Sequence, residues 1–477
     1  MRKLSGFVFR ALLLLPVAAF AAPPIPPTPA GTVLAEWLNG FNSADRTRIS
    51  AFQETYKRET PVDDVLQQRR ETGGFELEAV ESVSPTRVVA VLHEAMLPDS
   101  RIRLDLTVEP APANAIAKLE VEYLPVARLS ESDFPGALDA YVQRLVKEDL
   151  FSGAVLVARG ERILAREAWG MADRERNIAN KEGSQFRLGS MNKAITAVAA
   201  LQLVEAGKLA LDTPIGDYLP NSPTGDAASK VTLRHLLTHR AGVGEIAFND
   251  SAEFSTPAEF ISRRESMRTP ADYLRQYGSQ ALEFEPGTRT EYSSLGFMIV
   301  GALIEQASGK SYYDYVQANI LDPAGMSSTG SLPESDSVPN RVVGYTRQGD
   351  VLVPNGDTLP YRGSPAGGGY STIDDLLRFA QALRAGKLLS PEMTAEATRL
   401  HSGWQGLGFE VMGEGDMLSF GHGGMAPGMN AHFRVYPALD CTVVVLSNLD
   451  PPAAGLVYAF IADRMPTTAD AVEAADQ

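Results

Sequence analysis

The sequence predicts an α+β fold in two parts, and three observations carry that reading. The chain has 477 residues, 44% of them hydrophobic and 21% charged, which is globular in character and too long for one ordinary core. Four strand-like runs between residues 75 and 124 follow a short helical stretch, the pattern of a small helix-plus-meander unit. Further on, hairpin patterns cluster at 152–169 and 430–448 while helical patterns dominate 190–320. Collagen-like, disordered and coiled-coil readings are excluded by composition.

Arg2, Lys3 and Arg10 make a positive leader segment, and the apolar run from Ala11 to Phe20 is too short to span a bilayer. With Ala19-Phe20-Ala21 as a small-x-small cleavage site, residues 1–21 read as a secretory signal peptide. A periplasmic or secreted protein with no membrane span after cleavage is therefore expected. The prolines of residues 22–31 form a stiff leader.

Residues 32–125 are expected to form an N-terminal α+β accessory domain of two helices and a four-stranded meander. Val33, Leu34, Trp37, Leu38 and Phe41, then Ile49, Phe52 and Tyr56, recur at helical spacing, with Asn42 or Ser43 as the cap between the two helices. The strands fall at Phe75 to Val83, Val88 to Met96, Ile102 to Val108 and Ile116 to Leu124, and the third alternates cleanly as Ile102, Leu104, Leu106, Val108. No cluster of His, Asp, Glu or Cys there suggests chemistry, and His93 stands alone. Residues 126–134 read as a linker, and residues 466–477, small and acidic, as a flexible tail.

The larger unit, residues 135–465, opens with a helix from Phe134 to Lys147 and a hairpin turning at Arg159-Gly160-Glu161. Ser190-Met191-Asn192-Lys193 then runs into Ala194 to Val204, a helix apolar on every side and ended by Gly207. Such a helix must be buried. Ser190 lies at its N-terminus and Lys193 one turn on, along the same face. A serine hydroxyl is a poor nucleophile until a base takes its proton, and a lysine buried beside it can lose its charge or hold a second base deprotonated. The helix N-terminus adds N–H groups and a positive dipole end for a developing oxyanion. At this segment alone a nucleophile and a capped structural helix stay equally open.

Two later stretches favour the nucleophile. Glu285 to Met298 brings Tyr292-Ser293-Ser294 to the head of a second apolar helix. Gly421-His422-Gly423-Gly424-Met425 is glycine-dense beside a strand, which lets a ligand approach the backbone. Together these residues resemble the serine β-lactamase and penicillin-binding-protein superfamily, and within it the class C β-lactamase-like esterases and D-amino-acid-specific peptidases. Ser190-x-x-Lys193 matches the Ser-x-x-Lys motif, Tyr292-Ser293-Ser294 stands in the place of Tyr-x-Asn, and His422-Gly423-Gly424 in that of Lys-Thr-Gly. Leu211 to Ile215, Thr232 to His239 and Pro365 to Thr372 are similar flanking runs.

The resemblance implies a β-lactamase-like fold, an antiparallel sheet flanked by helices beside a helical region, with the site between them. It implies Ser190 as nucleophile, Lys193 as its partner, and Tyr292 as the general base, its phenolate stabilised by Lys193 and, as pH permits, by His422. The oxyanion hole would be the backbone N–H groups of Ser190 and Met425, with Ser294, Gly423 and Gly424 contacting substrate. No cofactor or metal is implied. Two departures bear on substrate: Ser294 shortens an amide to a hydroxyl, and His422 replaces a lysine, so a permanently cationic anchor for a carboxylate is missing. Both lean toward an esterase or small-amide peptidase with at most weak β-lactamase activity. The alternative is a catalytically idle module that binds cell-wall or peptide ligands.

The remaining features read as structural. The net charge of −16 offers no footprint for nucleic acid. Cys441 lies in an apolar strand pattern. His235 and His239 have the spacing of a zinc pair but no intervening Glu and no third ligand, and read as helix histidines. The partner expected is a small-molecule ester or amide.

Overall fold

The computed structural model describes residues 23–110, 115–220, 224–246, 263–349 and 351–467. The expected signal peptide and most of the expected tail lie outside them. The chain divides into two compact units, Met1–Val126 and Ala127–Gln477.

The first unit packs helices on one face of an antiparallel meander, Phe75–Val83, Arg87–Glu94, Arg101–Val108 and Ile116–Tyr123, paired in chain order. The third strand buries Ile102, Leu104, Leu106 and Val108 as its alternation requires. The described residues of this unit hold three helices rather than the two expected: Pro29–Ser43, Arg46–Tyr56 and Val62–Thr72. The third escapes a periodicity search because only Thr72 is buried in it; Asp63 and Asp64 in its first turn and Arg69 and Arg70 in its last favour it through the helix dipole instead. The first helix reaches into the proline-rich leader, capped by the Thr28 side chain, which accepts from Gly31 N. Asp45, not Asn42 or Ser43, caps the second. Asn42 instead clamps the first strand, its Nδ2 donating to Phe75 O at 2.8 Å and its Oδ1 accepting from Phe75 N at 2.9 Å.

The second unit is built on a six-stranded antiparallel sheet in the order Glu410–Met412, Ser419–Ala426, Met429–Tyr436, Cys441–Ser447, Gly153–Arg159, Arg162–Trp169. The hairpins from the two ends of the unit join where Val443 faces Val157 and Val444 faces Leu156. Val155, Leu156, Val157, Cys441, Val443, Val444 and Val445 are fully buried because both faces of the sheet are covered. Helices Phe134–Lys147 and Ala453–Arg464 lie against the sheet, joined by the stacked rings of Tyr141 and Phe460 at 4.7 Å. Helix Ile373–Arg384 packs on the adjacent strands Cys441–Ser447 and Gly153–Arg159, and a helical region holds Asn192–Glu205 against Ser294–Ser308, which in turn contacts Pro270–Tyr277. Helix Asn192–Glu205 is buried on every side from Asn192 to Leu201. The sheet strand Ser419–Ala426 runs directly past its N-terminal turn, Gly189–Met191.

Candidate active site

That approach is so close that only glycine fits on the strand: a Cβ on Gly424 would lie 1.9 Å from the Leu188 carbonyl oxygen. Gly189 sits at φ +55°, and a Cβ there would come within 3.0 Å of Met425 N. The Met425 amide is thereby held beside the Gly189–Ser190 backbone, which brings together the two segments whose N–H groups are expected to form an oxyanion hole. Gly424 is a packing glycine and does not line the cavity, contrary to the substrate contact expected of it; Gly423 and Ser294 do line it.

Ser190 heads the buried helix, and Lys193 Nζ donates to its Oγ at 3.2 Å. The lysine is wholly buried, its ammonium also held by the Ala366 carbonyl from the glycine-rich run after Pro365. Burial pushes the Lys193 pKa down to about 7, more than Glu245 and Glu410 raise it. Nζ lies 4.7 Å from the centre of the Tyr292 ring and 5.6 Å from that of Phe297. The Tyr292 hydroxyl is hydrogen-bonded to Ser190, but burial raises its pKa far above the usual tyrosine range, and Glu245 and Glu410 add to that. The phenolate expected by resemblance is thus disfavoured. The lysine, not the tyrosine, is the group that burial brings to neutrality near pH 7.

His422 is buried on the strand beside this cluster, with Nδ1 at 2.6 Å from the Gly423 carbonyl oxygen. Burial lowers its pKa more than the neighbouring Glu410 raises it. Burial thus works against the part of second cation for a Tyr292 phenolate expected of it from sequence.

Three further residues stand at the site without being expected there from sequence. Glu410, on the neighbouring edge strand, pairs with Arg434, accepts from Gly423 N at 3.2 Å, and lies 3.6 Å from His422 Nδ1. Glu245 accepts from the Ser294 amide at 2.9 Å and 3.1 Å and from Ile246 N at 2.7 Å, so its carboxylate caps the helix that Tyr292 precedes. His239 stacks on Tyr292 with ring centres 4.4 Å apart, while its Nδ1 accepts from Ser293 N at 3.1 Å. Burial holds it neutral, well below its ordinary pKa. The expected pair of helix histidines is therefore split: His235 Nδ1 accepts from Thr232 N in a capping box, and His239 lies beyond the helix at φ +53°. Among the described residues no group of His, Cys, Asp or Glu is placed to hold a metal ion.

These groups open on a cavity of about 700 Å³, walled by Met267, Tyr273, Tyr277, Leu359, Trp404 and Met429. An apolar cleft converging on a few placed polar groups is the usual form of a small-molecule site. A fold with a serine, a partly neutral buried lysine and a tyrosine in hydrogen-bonded contact defines a serine hydrolase of the β-lactamase-related class. The chain matches the Beta-lactamase family over residues 138–464 and belongs to that family. It is 32% identical over 314 residues to esterase EstB of Burkholderia gladioli, covering 60% of this chain and 79% of EstB. The crystal structure of a penicillin binding protein from Bacillus halodurans superposes with a TM-score of 0.59 at 30% identity, covering 66% of this chain and 98% of that one. The D-amino acid amidase of Ochrobactrum anthropi SV3 shares the fold, with a TM-score of 0.58 at 21% identity over 73% of this chain and all of the amidase (100%).

Proposed function

We propose that the protein is an exported hydrolase that cleaves a carboxylic ester or small amide through an acyl-enzyme on Ser190. The observation that carries this reading is the shared hydrogen bonding of the Ser190 hydroxyl to a lysine whose pKa is about 7 and to a neutral Tyr292. Export rests on the pattern of residues 1–21. EstB being an esterase supports the same substrate class.

Neutral Lys193 Nζ takes the Ser190 proton as Oγ forms its bond to the substrate carbonyl carbon. The carbonyl electron pair moves to oxygen, where the N–H groups of Ser190 and Met425 receive it. When the tetrahedral adduct collapses, the bond to the alkoxide or amine leaving group breaks. Tyr292 gives that group its proton and recovers one from the Lys193 ammonium, so the phenol acts as a relay and never persists as a phenolate. Deacylation repeats the steps with water in place of Ser190: the water proton goes to Lys193, its oxygen attacks the acyl carbon, and Ser190 leaves as the hydroxyl.

Labelling with a fluorophosphonate probe tests the reading. Wild type is expected to gain one covalent adduct, and Ser190→Ala none, while remaining folded, because a hydroxyl at a helix N-terminus contributes only about 0.5–2 kcal/mol. An adduct that persists in Ser190→Ala, or a wild type that takes no label and hydrolyses no ester, overturns it; the second result is what an idle binding module gives.

A further inference from the structure

Beside the reacting hydroxyls and backbone N–H groups, the cleft is lined by two carboxylates, Glu245 and Glu410, and by the imidazole of His422. Glu245 is exposed into the cavity and makes no ion pair among the described residues; the N–H groups of Ser294 and Ile246 hold its two oxygens in place. A carboxylate oxygen has lone pairs to spare after one or two such bonds. His422 supplies a second acceptor. The Gly423 carbonyl and the Glu410 carboxylate, both acceptors, face its Nδ1 at 2.6 Å and 3.6 Å, so Nδ1 carries the proton. That leaves Nε2 as a lone pair, and Nε2 is buried with no hydrogen-bond partner among the described residues on a side chain that lines the cavity. A buried acceptor without a partner marks the place of a missing donor.

The cations near the cleft do not reverse this balance: Lys193, the one Glu245 acts on, is wholly buried and held by Ser190 and the Ala366 carbonyl. Arg434 is spent on Glu410. Arg263 and Arg264 line the cavity, but Arg264 is held by the carbonyls of Gly356 and Leu359 and by Glu265, and Arg263 is likewise engaged. The walls include three aromatic residues, Tyr273, Tyr277 and Trp404, a side-chain type whose ring faces attract cations.

Resting on the hydrolase reading above, we propose that Glu245 and the Nε2 lone pair of His422 make this cleft select an acyl donor that carries a cationic, hydrogen-bond-donating group such as an ammonium, and reject one that carries a carboxylate. Glu245 acts here as a specificity residue. The ligand class follows from the chemistry: an ammonium supplies N–H donors for both acceptors and a charge for one of them, whereas a carboxylate would face Glu245 with nothing but repulsion.

The test compares three p-nitrophenyl esters of matched length, hexanoate, 6-aminohexanoate and the monoester of adipate, with spontaneous hydrolysis subtracted. Wild type is expected to order kcat/KM as cationic above neutral above anionic. Glu245→Gln keeps an oxygen for the Ser294 amide but removes the charge, and it should shrink the cationic-to-anionic ratio by tenfold or more, through KM more than kcat. A wild type that favours the adipate ester overturns the proposal without recourse to any variant. So does a ratio in Glu245→Gln within twofold of wild type while both proteins hydrolyse the hexanoate. Failure of wild type to hydrolyse any of the three overturns the hydrolase reading itself, and this proposal with it.

Discussion

Replacing Lys193 by methionine should abolish activity and stabilise the protein at neutral pH, and the second effect can be worked from the structure. The side chain is fully buried, and its pKa falls from 10.5 to about 7 on folding. Between those two values the unfolded chain binds more protons than the folded one, so wild-type stability rises with pH across that window. At about 1.4 kcal/mol for each pH unit, less the partial protonation of the folded state at pH 7, this lysine alone makes wild type gain about 2 kcal/mol between pH 7 and pH 9. Lys193→Met keeps the packing of the stem and removes the titration. It also loses the bonds to Ser190 and the Ala366 carbonyl, which sets a constant offset of roughly 1–3 kcal/mol. The diagnostic quantity is the difference between the proteins against pH. Urea unfolding of both, followed at pH 7, 8 and 9, should show the variant's advantage falling by about 2 kcal/mol over that range. A difference flat to within about 0.5 kcal/mol would refute the claim that folding neutralises Lys193. The same titration sets the acid limb of kcat/KM in wild type near pH 7, where the lysine begins to protonate and can no longer accept from Ser190.

Tyr292→Phe keeps the ring against His239 and deletes the relay hydroxyl, so kcat on a p-nitrophenyl ester should fall by about 10²-fold or more, and its loss should combine with that of Lys193→Met far less than additively because they disable one proton path; a kcat within about fivefold of wild type would remove Tyr292 from the path. Gly424→Ala forces a methyl to within 1.9 Å of the Leu188 carbonyl, so the strand must move off the Ser190 turn; esterase activity should drop by at least tenfold, and an unchanged kcat would show that this approach does not build the oxyanion hole. A chain beginning at Ala127 should fold and retain activity on a small ester, since that unit has its own core and holds every residue of the site; a monodisperse but inactive protein would assign the first unit a part in the site.

The parts of this molecule legible in its sequence are those where a local pattern and the tertiary demand coincide. The strand Arg101–Val108 alternates because one face is buried, and the nucleophile helix is apolar all round because every side of it is packed. Ser190, Lys193 and Tyr292 could be found because each heads or follows a helix start with its own signature. The helix Val62–Thr72 could not, since it buries only Thr72 and packs on the core through little more than Val65. Glu245 and Glu410 could not either, and His239, though its run is legible, reads from sequence as a helix histidine. Each reaches the site from a different element, through a cap on the Ser294 amide, a pair with Arg434 and a stacked ring, and no spacing in the chain records those meetings.

The identity of the base shows most sharply where sequence reasoning stops. Ser-x-x-Lys and a tyrosine in the right order are compatible with a phenolate held by an ammonium or with a neutral amine beside a phenol, and the two differ only in where one proton rests. The burial of the apolar helix that carries the motif favours the second of these. Packed against helix Ser294–Ser308, that helix leaves Lys193 facing Phe297 and the Tyr292 ring, away from the water that would keep an ammonium charged. The same burial raises the tyrosine, so one desolvated pocket pushes both groups toward their neutral forms. A phenolate–ammonium pair would require that pocket to hold two charges, with Glu245 and Glu410 opposing the negative one. Neutral lysine beside neutral tyrosine requires none, and it leaves the proton of Ser190 a single short step from its acceptor.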